Sequence, residues 1–135
     1  MTRHLKRLIA GGVLVAFAGV IVAQNPALTR TTITKADISV AGREAVIVRV
    51  EIVPGGVAGW HTHPGDEISY LMEGEATLMV AGQPTRKVVA GEGFVIAAGV
   101  VHNARNEGTN MAKVLGVYVV EKGKPLASPA SAPAQ

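Results

Sequence analysis

An all-β sandwich or barrel is the fold class this sequence predicts, and three observations predict it. Between residues 44 and 121, short β-rich runs recur at spacings of about 8–12 residues, each closed by glycine or proline. One of them, EAVIVRVEIV at 44–53, alternates, with Val46, Val48, Val50 and Ile52 on one face and Arg49 and Glu51 on the other. That is the signature of a half-buried strand. Past residue 23, no stretch holds a period of about 3.6 residues for three turns, so helices have no support.

In order, the strand at 44–53 breaks at PGG (54–56), and GWHTH (59–63) precedes a second turn at PGD (64–66). EISYLME (67–73) then runs to Gly74. If Glu67 points inward, Ser69 and Leu71 share its face, and Ile68, Tyr70 and Met72 form an outward apolar stripe. EATLMV (75–80), TRKVV (85–89), FVIAAG (94–99) and VVHNA (100–104) follow, separated by AGQP and AGEG, and AKVLGVYVVE (112–121) closes the domain after RNEGTN. The domain is placed at 40–121, behind a leader at 24–39 with no clear periodicity. The Pro-, Ala- and Ser-rich end, 122–135, reads as a disordered tail.

Residues 1–23 read as a signal peptide: a basic opening (MTRHLKR), then an apolar run from Leu8 to Ala23 of 16 residues, then a polar stretch. The run is short against the roughly 20 residues that cross a bilayer. Cleavage near Ala23 and export, periplasmic or secreted, are expected, with an uncleaved inner-membrane anchor helix as the alternative. Of the 13 Lys and Arg residues, Arg3, Lys6 and Arg7 lie in this segment, and the remaining ten balance the ten acids. The high pI therefore belongs to the leader, and no basic stripe remains to recruit nucleic acid. With no cysteine, any metal must be held by nitrogen and oxygen.

Four histidines are present, and two of them sit in WHTHPGDE at 60–67. In an extended strand, His61 and His63 project from the same face. Pro64-Gly65 can turn Glu67 back toward them, and His102 begins a later strand-like run. Three imidazoles and a carboxylate suit one divalent transition ion: Fe, Mn, Ni, Cu, Co or Zn. A lone H-x-H is equally at home on a solvated strand, so the pair by itself decides nothing.

The wider frame is more specific. Gly55, His61, His63, Glu67 and Gly74 match G-x5-H-x-H-x3-E-x6-G, and after 16 residues Gly91, Gly99, His102 and Asn106 match G-x5-P-x-G-x2-H-x3-N, with Ala97 in place of its proline. This resembles the cupin superfamily, in its small single-domain form, over about residues 40–120. The resemblance implies a cupin jelly-roll (double-stranded β-helix) barrel in which His61, His63, Glu67 and His102 ligate one metal. Glu67 is also the candidate catalytic base, as its counterpart is thought to be in some family members. The glycines are read as turns, Asp66 as a turn residue and Asn106 as a turn former.

Two functions follow as expectations. One is an exported mononuclear metal enzyme of oxygenase type, or an isomerase or lyase, acting on a small organic molecule. The other is a non-catalytic periplasmic module that binds metal or ligand. Trp60, Met79, Phe94 and Tyr118 are candidates for pocket lining or core. Arg49 would meet an anionic substrate only if it faced inward, and its phase points it to solvent. Membrane contact is expected only through an uncleaved leader. The outward stripe calls for a cover, either the N-terminal segment or a second subunit, and the latter raises a homodimer.

Overall fold

A computed structural model describes residues 26–134. Residues 1–23, expected to be a signal peptide, lie outside the described residues. Ten strands form: β1 (Leu28–Asp37), β2 (Arg43–Ile52), β3 (His61–Thr62), β4 (Gly65–Glu73), β5 (Glu75–Val80), β6 (Arg86–Val89), β7 (Gly93–Ile96), β8 (His102–Arg105), β9 (Ala112–Glu121) and β10 (Ser128–Pro129). They make two five-stranded antiparallel sheets, ordered β1-β2-β9-β4-β7 and β10-β3-β8-β5-β6. Two facing sheets with crossing connections are a jelly roll.

The core lies between the sheets, where strand alternation puts it. Val46, Val48, Val50 and Ile52 of β2 are buried, as are Val114, Tyr118 and Val120 of β9 and Leu78 and Val80 of β5. Along β4, Glu67, Ser69 and Leu71 point in while Ile68 and Tyr70 point out, as the period of two requires. Gly55, Gly74, Gly91 and Gly99 all have positive φ. At Gly99 this matters to the site. It sits at φ 73° in the Ala97–Val100 turn, closed by Val100 N–H to Ala97 C=O at 3.1 Å, just ahead of His102. The turn closes with alanine where the family pattern has proline.

The ordered structure extends beyond the expected domain at both ends. Residues 28–37, read as an aperiodic leader, form β1 and pair along β2, with a bulge at Ile33. β1 is an edge strand with both faces largely exposed, so it needs no apolar alternation. Its threonines Thr29, Thr31, Thr32 and Thr34 supply the β-branched preference instead. The C-terminal residues, expected to be disordered, return to the second sheet. Ser128 and Pro129 of β10 pair with Thr62 and His61, and Ala130 N–H donates to Trp60 C=O at 3.0 Å. Proline is tolerated there because β10 is an edge strand, where a missing N–H breaks no ladder.

Candidate metal centre

The four residues singled out as ligands converge between the sheets. In the second sheet, His61 of β3 is the direct register partner of His102 of β8, and His63 follows just beyond β3. Glu67 reaches in from β4 on the opposite sheet. The ligand nitrogens of His61, His63 and His102 lie within 4.8 Å of one another. Glu67 Oε2 is 3.1 Å from His63 Nε2 and 3.1 Å from His102 Nε2. His63, Glu67 and His102 are buried, and His61 is half-buried.

Hydrogen bonds assign the tautomers. Each imidazole Nδ1 faces a backbone carbonyl: His61 to Gly59 at 2.7 Å, His63 to Leu126 at 2.6 Å and His102 to Val100 at 2.9 Å. A carbonyl can only accept, so each Nδ1 carries a proton, and in the Nδ1–H tautomer a bare Nε2 turns inward. Ser69 Oγ–H donates to Glu67 Oε1 at 2.6 Å, which aims Oε2 at the same point. Acceptors thus face acceptors at 3.1 Å, and His63 Nε2 is buried with no hydrogen bond. A cation resolves such an arrangement. Nitrogen and oxygen ligands at right angles, each about 2.1 Å from an ion, stand about 3 Å apart. The donor set therefore fits a transition ion, with no thiolate to restrict which.

Electrostatics prepares the ligands at neutral pH. Burial, opposed by the Gly59 hydrogen bond and reinforced by the neighbouring imidazoles, lowers the His61 pKa from its ordinary 6.5 to about 4. Burial would raise Glu67, yet its close contacts with His102 and His63 and the hydrogen bond from Ser69 outweigh it and hold the carboxyl well below the usual range. Burial, together with the Glu67 charge, pushes the Tyr118 hydroxyl up, so it stays a phenol.

Two cavities meet at this point. The inner one, about 40 Å³, runs from His61, Glu67 and His102 into the barrel past Val50, Leu78 and Phe94. It holds roughly three water-sized groups. The outer one, about 410 Å³, lies between Arg30, Trp60, the histidines, Tyr118 and residues 126–129. Of the four aromatic and methionine candidates, Phe94 and Tyr118 line the inner cavity and Trp60 the outer. Met79 faces away, toward Arg105.

Arg49 points to solvent beside Glu51, as its phase implied. Arg30 of β1 borders both cavities instead. Sequence reasoning missed it because β1 had read as leader. It also missed Gly116. That glycine faces inward, and a Cβ on it would stand 2.7 Å from the Tyr118 ring. Its bare backbone lets the phenol fold back to meet His63, ring centres 4.7 Å apart. The G-V-Y spacing on an alternating strand was the available signal. Asn106 behaves as a turn former, whereas Asp66 lies within β4 and braces the distant turn after β7 instead of forming one of its own. Asp66 Oδ1 accepts from Ala98 N–H at 3.0 Å, and Asn106 Oδ1 from Gly108 N–H at 3.0 Å.

Comparison with known proteins names the class. The cupin domain profile matches residues 48–118, and the chain belongs to this family. A germin-like protein, subfamily 2 member 2, of Arabidopsis thaliana is 35% identical over 77 residues, covering 53% of this chain and 35% of that protein. The chain spans about a third of the length of the curated relatives it matches. Among solved structures, a double-stranded β-helix protein from Klebsiella pneumoniae superposes with TM-score 0.62 at 21% identity, over 78% of this chain and 88% of its own. A recombinant oxalate oxidase in complex with glycolate superposes with TM-score 0.63 at 26% identity, over 79% and 57%.

Proposed function

We propose that this cupin is a mononuclear metal enzyme of oxygenase or oxidase type, acting on a small organic substrate that bears a carboxylate. The observation that carries the reading is the convergence of three Nε2 lone pairs and one carboxylate on the mouth of a small, mainly apolar cavity with an arginine at its rim. His61, His63, Glu67 and His102 would hold the ion, which when bound supplies Lewis-acid or redox chemistry at positions left open to oxygen ligands. The rest falls to the chain. Val50, Leu78 and Phe94 keep water from the reacting carbon. Arg30 meets the substrate's negative charge. Glu67 would take a substrate proton only by swinging away from the ion and from the contacts that hold its pKa low. Similarity to oxalate oxidase bound to glycolate, a small carboxylate, supports the substrate class.

The reading is tested on purified protein by elemental analysis and by dioxygen uptake against oxalate, glycolate, diketones and phenols. Stoichiometric iron, manganese, nickel or copper with turnover of a carboxylate is expected, and Arg30→Gln should raise KM for that substrate far more than it lowers kcat. Tightly held zinc without turnover would favour the second reading, a non-catalytic binding module. One observation favours that alternative: among the described residues, the inner cavity offers no acid or base beyond the presumed ligands except Tyr118. For the ligand set, His61→Ala and His102→Ala should each abolish metal retention while preserving the β-sheet circular dichroism. Full metal content in both would sink the assignment.

We also propose export through the N-terminal segment, on its basic, then apolar, then polar order, and homodimerisation through the outer face of the first sheet.

A further inference from the structure

The C-terminal residues 122–130 border the centre, and we propose that they are a working part of it: they hold His63 in its ligating tautomer and so strengthen ion binding. This rests on the metal-centre reading above. His61 and His102 are oriented locally, each by a carbonyl two residues away. His63 is not. Its Nδ1–H finds Leu126 C=O, 63 residues along the chain, at 2.6 Å. Without that carbonyl, the buried ring has around it the Tyr118, His61 and His102 rings, at centre distances of 4.7–5.0 Å, and the Glu67 carboxylate, whose Oε2 stands 3.1 Å from Nε2. The rings select neither nitrogen, and in the metal-free chain the carboxylate draws the proton to Nε2, the tautomer that cannot ligate.

The segment that brings Leu126 there is fastened at several points. Lys122 Nζ pairs with Asp37 at 2.6 Å, and Lys122 N–H donates to Gly42 C=O at 3.1 Å. The Leu126 side chain packs on the core, and β10 pairs with β3, the strand that carries His61. Pro125 and Pro129 restrict the free segment and reduce the entropy lost on docking. Leu126 to Pro129 also form one wall of the outer cavity. The segment is thus a strap tied to both neighbours of the ion, and its composition alone disguises it as a tail.

The outer partner of a metal-bound imidazole typically changes affinity by about 10–100-fold. The test uses metal-depleted full-length protein and a chain ending at Gly123, titrated with zinc(II) against a chromophoric chelator. The shortened chain should bind about 10–100-fold more weakly. Leu126→Ala, which trims packing but keeps the carbonyl, should lower the melting temperature and leave Kd within about threefold. Nitrogen NMR of the metal-free rings should show His63 protonated on Nδ1 in the full chain and shifted toward the Nε2–H tautomer, facing Glu67, in the shortened one. If the shortened chain does not fold, Ala130→Pro decides, because it deletes the N–H to Trp60 and stiffens the backbone at the end of β10 while leaving the core side chains in place, and it should still weaken zinc binding severalfold. Equal affinities and an unchanged His63 tautomer would overturn the strap and leave the metal centre standing. A full-length chain that binds no zinc would overturn both.

Discussion

Gly116 and Tyr118 illustrate how a single atom shapes the centre. Adding a Cβ at Gly116 places carbon 2.7 Å from the Tyr118 ring, which must swing toward the histidines or out of the core. Gly116→Ala is therefore expected to cost about 1–3 kcal/mol, the usual penalty of overpacking, read by chemical denaturation. It should also perturb the Tyr118–His63 contact, visible as a shift of the His63 ring resonances. His61 yields a pH dependence. Its pKa is about 4 in the folded chain against an ordinary 6.5, so between those values the unfolded chain binds more protons. Stability contributed by this group is present above pH 6.5 and is lost as pH falls toward 4. In the metal-free protein, the melting temperature should drop across that window by less in His61→Gln than in the parent. Equal drops would contradict the assignment.

The turns between strands do the positioning. Asn106 is fully buried after β8, where its Nδ2–H groups donate to Ile52 C=O at 2.8 Å and Asn110 C=O at 2.7 Å. With Gly108 N–H returning to its Oδ1, one side chain stitches the end of β2 to the β8–β9 turn. Asn106→Ala orphans the Ile52 carbonyl and opens a void, at an expected cost of about 2–4 kcal/mol by urea denaturation. The residue's place in the glycine-histidine-asparagine frame was legible. Its task was not, because the Ile52 partner is 54 residues away. β1 and β10 escaped for a different reason. Both are edge strands, and an edge with open faces leaves no hydrophobic period to read. β2, β4 and β9 carry one buried face each, and the alternation read along β2 and β4 matches their burial.

Among the described residues, nothing covers the outer face of the first sheet. Ile68 is 48% exposed, Tyr70 49% and Val95 65%, and register pairs Ile68 with both Val95 and Val117, and Val117 with Ile47. This apolar row crosses four strands, the kind of patch that monomers seldom leave in water. A dimer in sedimentation at about ten micromolar is expected, converted to monomer by Ile68→Lys with Val95→Lys; a parent chain that sediments only as monomer contradicts it. The all-β class, the inward and outward faces of the central strands, the turn glycines and the histidine-glutamate spacing are all local properties, written as periods and short intervals, and could be read directly from the residues. Three features required the folded chain. They are the meeting of His102 with Glu67 across two sheets, Arg30 at the cavity rim, and the Leu126 carbonyl on His63. Each joins positions dozens of residues apart, and such distances are closed by sheet packing, which no local pattern encodes.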